Sequence, residues 1–125
     1  MSDINSNQDL DLSLLNEIAD GSDEFIIESI AMFLQQTTES LEAISDGIGS
    51  RDWVTTGSAV HKLKPTLGFF GMLDTQALMQ DIESSCKDGV QNPDDIAAKF
   101  SQAKANLNIN IPALIKIKAE AEARL

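Results

Sequence analysis

His61 is the single histidine of the 125-residue chain, and the residues spaced around it suit a nucleophile that another macromolecule must reach. An imidazole is nucleophilic in its neutral form near physiological pH. At 100° per residue, the helical face centred on His61 holds Gly57, Ser58, Lys64, Pro65 and Gly68, with Val54 one turn further back. The opposite side carries Ala59, Val60, Leu63, Leu67 and Phe70, which suits a core. Each helix-interior glycine costs about 0.8–1 kcal/mol relative to alanine, and Pro65 costs about 3 kcal/mol through a lost hydrogen bond and crowding of the His61 carbonyl. Helix propensity does not select such residues. A flat strip that lets a partner approach the ring compensates for the cost. Lys64, one turn from His61, is expected to neutralise an anionic group carried by the imidazole. Lys62, about 100° round the helix, is read as solvated.

Other chemistries lack their parts. No G-x-x-x-x-G-K loop is present, and Gly68-Phe-Phe-Gly71 has neither the preceding strand nor the lysine of a phosphate loop. A di-metal carboxylate bundle needs Glu-x-x-His pairs, whereas Ser58 stands three residues before His61, so no metal is expected. The lone Cys86 excludes an internal disulfide framework and fits a reducing cytoplasm; it lies on an expected core stripe and is read as structural. Residues 1–50 hold eleven acids and no lysine or arginine, and so supply the whole formal charge of −11. Such a surface repels phosphate backbones and anionic lipids, which argues against nucleic acid and membrane as partners. No apolar run approaches the ~18 residues of a membrane span, and Ser2-Asp3-Ile4-Asn5 is unlike a signal sequence.

The elements that must position His61 are helices throughout. Residues 1–8 are polar and expected to be flexible, leaving 9–125 as one domain. A short helix is expected over Asp9–Ala19, with Leu14, Leu15 and Ile18 on one side. A second follows over about 23–47, capped by Ser22, with a stripe of Ile26, Ile30, Phe33, Thr37, Leu41, Ile44 and Ile48. A third, capped by Asp52 or Ser50, runs to Phe69 or Phe70. A fourth spans about 74–88, with Leu78, Ile82 and Cys86 inward. Pro93 opens the last helix, whose stripe is Ile96, Phe100, Ala103, Leu107, Leu114 and Ile117, and Pro112 is expected to kink or divide it near Asn108. Short loops make neighbours antiparallel, so the expected fold is all-α, an up-down four-helix bundle with a short additional N-terminal helix. Mirror-counting through those loops places Leu34, Thr37 and Thr38, and Met79, Gln80 and Glu83, level with His61.

The segment Ala59-Val-His-Lys-Leu-Lys64, continuing through Gly71 to Ile82-Glu83, resembles the signature of histidine phosphotransfer (HPt) domains. That signature reads roughly A-H-x-L-K-G, then a glycine ten residues after the histidine, then L-E. Gly49-Ser-Arg-Asp-Trp53 and Gly21-Ser-Asp-Glu-Phe25 are also similar to the family, and the resemblance covers about residues 9–120. Pro65 replaces the usual glycine, and Val60 separates Ala59 from His61. Glu83 lies where some members carry glutamine near the phosphoryl group. An acid there would repel that group, so Glu83 is read as a packing or rim residue.

The resemblance implies a phosphoryl carrier in a histidine–aspartate relay. His61 would accept the group on Nε2 from a receiver-domain aspartate, with Lys64 stabilising its charge, and pass it to another receiver. Gly57, Ser58, Pro65, Gly68 and Glu83 would form the docking face, where added bulk, as in Gly68→Gln, should weaken receiver binding and spare the fold. The carrier would be a monomer without its own ATP site or cofactor. Mg²⁺ would come with the receiver, which could belong to a hybrid sensor kinase. The competing readings are a module that binds receivers without transfer and a purely structural bundle.

Overall fold

The computed structural model of the chain describes residues 9–125. The expectation of flexibility for 1–8 falls outside them. Five helices follow in order among the described residues: α1 (Ser13–Ala19), α2 (Asp23–Gly49), α3 (Trp53–Phe69), α4 (Leu73–Asp88) and α5 (Pro93–Arg124). The last four close into a ring in which α2 packs on α3, α3 on α4, α4 on α5 and α5 on α2, with α1 lying against α2. Each pair is antiparallel, as a bundle joined by short loops requires.

Caps start three of these helices. Ser22 Oγ accepts from the Phe25 amide, Asp52 Oδ1 from Thr55, and the Asn92 side chain from Asp95 with Pro93 next in line. The core gathers Ile30, Phe33 and Ile44 of α2, Val60, Leu63 and Leu67 of α3, Met79 and Ile82 of α4, and Leu107 and Leu114 of α5, with Phe70 and Met72 between α3 and α4. Arg124 forks onto Asp23 at 2.8 Å and joins the end of α5 to the start of α2.

Several expectations shift by a residue or a turn. On α2 the buried line passes through Ser40 and Gly47, while Leu41 and Ile48 are half-buried. A side chain at Gly47 would overlap Thr56 Oγ1, so this glycine is what lets α2 and α3 approach. On α1, Leu15 and Ala19 face inward, whereas Leu14 and Ile18 are exposed. On α4 the inward residues are Thr75, Met79, Ile82 and Glu83, with Leu78 and Cys86 half-buried. α5 is not divided at Pro112. Both Pro112 and Asn108 are exposed, so the Asn108 carbonyl that loses its intrahelical donor faces water.

The expected helix over Asp9–Ala19 begins only at Ser13, because Asp9 has another partner. Its carboxylate accepts from the amides of Asp74 and Thr75 at 2.7 and 2.8 Å and from Thr75 Oγ1, so it caps α4 from 65 residues away. Asn110 Nδ2 on α5 donates to the Asp9 carbonyl at 2.8 Å. Asp11 N donates to Phe70 O at 3.1 Å, which brings the chain over Gly71. Gly71 has φ +69° and no room for a side chain beneath Asp11, which is why a glycine stands ten residues after His61.

Candidate functional site

His61 sits at mid-length of α3 with its side chain 70% exposed. α3 continues through Pro65 to Phe69 while burying Val60, Leu63 and Leu67, so the ring is presented outward by a helix anchored along its other face. Its Nδ1 lies 2.7 Å from Glu83 Oε2 on α4. Glu83 is 3% exposed in its side chain and is met by three residues: His61, the Lys64 ammonium at Oε1, and Lys87 Nζ at 3.3 Å from Oε2. The Lys64 hydrogen bond, opposed by burial and reinforced by His61 and Lys87, lowers the Glu83 carboxyl to about 2 from an ordinary 4.5.

That carboxylate is therefore ionised at neutral pH and can only accept. The neutral imidazole must donate from Nδ1, so its free lone pair is on Nε2. Glu83 thus selects the tautomer and holds the ring plane. Of the two expected placements, packing or rim, Glu83 takes the packed one: it is buried with its charge shared between two lysines.

Lys64 has two partners on α4. Its ammonium is drawn to Glu83 and to Gln80 Oε1 at 2.6 Å, leaving the side chain 19% exposed. Mirror-counting across the α3–α4 turn had put Gln80 and Glu83 at this level, and they are there. On α2, Gly47 against Thr56 and Gln36 against Thr66 place Leu41 and Glu42 level with His61, about a turn beyond Leu34–Thr38.

A solvent-open groove of about 560 Å³ flanks the ring, lined by Trp53, Val54, Gly57, Ser58, His61, Glu83, Cys86 and Lys87. It runs toward the start of α3 and the end of α4. An added Cβ at Gly57 would stand 3.2 Å from Cys86 Cβ, so this glycine sets how closely the groove's two walls approach. Burial, with the nearby Glu83 charge, raises the Cys86 thiol and keeps it protonated. Among the described residues, no three His, Cys, Asp or Glu side chains are grouped to hold a metal ion, and no helix is long and apolar enough to cross a membrane.

The Hpt domain family matches residues 28–120 of the sequence, three-quarters of the chain and the whole His61–Glu83 site. The chain belongs to the Hpt domain family. It is similar in structure to the crystallised HPT domain of an Hpt sensor hybrid histidine kinase from Shewanella, with a TM-score of 0.74 and 25% identity over 90% of this chain and 95% of that one. No curated protein matches it in sequence. As an Hpt domain it is a histidine phosphotransfer module of the phosphorelay class, a phosphocarrier rather than a catalytic enzyme.

The expected docking strip divides on the Hpt domain. Gly57 and Ser58 share the groove with His61, while the exposed Pro65 lines a separate hollow with Met32 and Phe69. Gly68 faces α4 and is half-buried. A Cβ there would stand 2.6 Å from Gln76 Nε2, which itself donates to the Lys64 carbonyl at 3.0 Å. Gly68→Gln should therefore push aside the flexible end of Gln76 and lose its hydrogen bond to the Lys64 carbonyl, a cost of about 1 kcal/mol that the helix propensity gained over glycine only partly offsets. A drop in urea midpoint measures it; an unchanged midpoint would place Gly68 at an open surface. Sequence reasoning missed Lys87. Its one signal is the four-residue spacing from Glu83, which becomes informative only once Glu83 is seen beneath His61.

Proposed function

We propose that this Hpt domain accepts a phosphoryl group on His61 Nε2 from the aspartyl phosphate of a receiver domain and returns it to the aspartate of another receiver. The Nε2 lone pair forms the N–P bond as the P–O bond to the donor aspartate breaks, and the donor leaves as a carboxylate. Transfer to the second receiver reverses these events on that receiver's carboxylate. Mg²⁺ and the acidic residues around it are assigned to the receiver, while this chain supplies the nucleophile, its tautomer and its alignment. The observation that carries the reading is the buried, ionised Glu83 at 2.7 Å from Nδ1 of a ring that is otherwise exposed. A carboxylate oriented in this way leaves Nε2 as the one nucleophilic ring nitrogen.

Incubation with a receiver carrying radiolabelled phosphoryl decides the matter. Label should pass to this chain in a form stable to alkali and labile to acid, and pass on again when an unlabelled receiver is added. Complex formation with no movement of label would instead support a receiver-binding module without transfer.

A further inference from the structure

Two lysines stand near His61, and the structure gives them different work. Lys64 is 19% exposed, held by Glu83 and Gln80, and absent from the groove that borders the ring. Lys87 is 69% exposed, lines that groove, and touches Glu83 Oε2 at 3.3 Å as a single i,i+4 contact. The same oxygen accepts from His61 Nδ1, so one atom separates the Lys87 ammonium from the ring. Lys87 is itself exposed and meets the buried carboxylate through this one contact, so its flexible stem is free to re-aim. The half-buried Lys64 ammonium, held by two partners, is not. Releasing Lys64 would leave Glu83 buried without its strongest partner.

A phosphoryl group on Nε2 places a dianion outside the ring, beside the groove where Lys87 is an exposed cation with slack in its stem. We infer that Lys87 is the residue that meets the phosphoryl group carried by His61, whereas Lys64 is the fixed counter-ion that holds Glu83 against Nδ1. This deepens the carrier reading and rests on it. Phosphorylation moves Lys87 from Glu83 to the phosphoryl oxygens, and Lys64 keeps Glu83 neutralised throughout. The carboxylate therefore never faces the new anion without a cation beside it. A lysine is suited to this role because its charge is compact and its stem flexible.

The test uses the full chain phosphorylated on His61 by phosphoramidate, a small donor that needs no receiver, and follows the ³¹P resonance against pH. A cation in contact with the group makes its last proton easier to lose. Lys87→Ala should raise the midpoint of that titration by about half a unit, a threefold change in proton affinity, with an unchanged urea midpoint. Lys87→Arg should restore most of it. Lys64→Met should lower the urea midpoint and leave the ³¹P titration close to wild type. A ³¹P midpoint unmoved by Lys87→Ala, or moved only by Lys64→Met, overturns the assignment and leaves the carrier reading standing. If His61 takes phosphoryl neither from phosphoramidate nor from a receiver, the carrier reading falls and this inference falls with it.

Discussion

A His61→Gln variant offered a phosphorylated receiver takes up no acid-labile label, and its stability stays within about 1 kcal/mol of wild type. The functional loss is complete because the chain has no second imidazole, and a glutamine amide nitrogen has no lone pair available to attack phosphorus. The thiol in the groove, Cys86, is kept protonated by burial and by the charge of Glu83. The small stability cost follows from exposure. The ring buries little, and its one hydrogen bond to the protein is the Nδ1 contact with Glu83. Glutamine can donate to the same carboxylate, which also keeps Lys64 and Lys87. Circular dichroism and urea unfolding establish the fold, and labelling followed by acid and alkali treatment establishes the loss. Label at the wild-type level in a folded variant would remove His61 from the reaction.

The second large effect concerns Glu83 and has a sign that pH exposes. Its carboxyl sits at about 2 in the folded chain against an ordinary 4.5, so the unfolded chain binds this proton more readily. Stability from this group is then fully present above about pH 5 and is lost as pH falls toward 2, with a span of about 3 kcal/mol. Glu83→Gln should remove that part of the acid limb, so variant and wild type converge in unfolding free energy as pH drops. Glu83→Ala should cost about 3–5 kcal/mol at neutral pH, because the inward-held Lys64 ammonium keeps only Gln80. The two variants should also separate in function. Glutamine can still accept from Nδ1–H and preserve the reactive tautomer, whereas alanine releases the ring and should slow phosphoryl uptake roughly threefold to tenfold. Urea titrations between pH 2.5 and 7 check the first expectation; parallel limbs for wild type and Glu83→Gln would show that the carboxylate contributes no pH-dependent stability.

How much of this could be read before the fold was known differs from residue to residue. The 3.6-residue periodicity was sufficient for the helices and for the outward placement of His61, because Val60, Leu63 and Leu67 recur on the other side of α3 and burial of such a stripe is a local necessity. Counting back from the short turn between α3 and α4 reached Glu83 and Gln80 correctly, since few registers fit three linking residues. The same count on α2 missed by about a turn. There the helix continues to Gly49, and the close approach at Gly47 and Thr56 sets the register.

Local periodicity and spacing thus specify the list of elements, the exposed nucleophile and the family to which its neighbours point. Where each charge would settle was decided by tertiary structure alone. Local spacing points to Lys64, one turn from His61, and gives no sign of Lys87, which lies on another helix. The choice follows from burying Glu83, which must then recruit a fixed counter-ion and leaves the other lysine at the groove. Asp9 follows the same logic, as an apparent first residue of a helix that leaves it for the amides of Asp74 and Thr75 across the bundle. Apolar burial depends on periodicity, which one helix displays unaided. A polar group's partner depends on which groups several helices bring within about 3 Å, and that distance exists only after they pack.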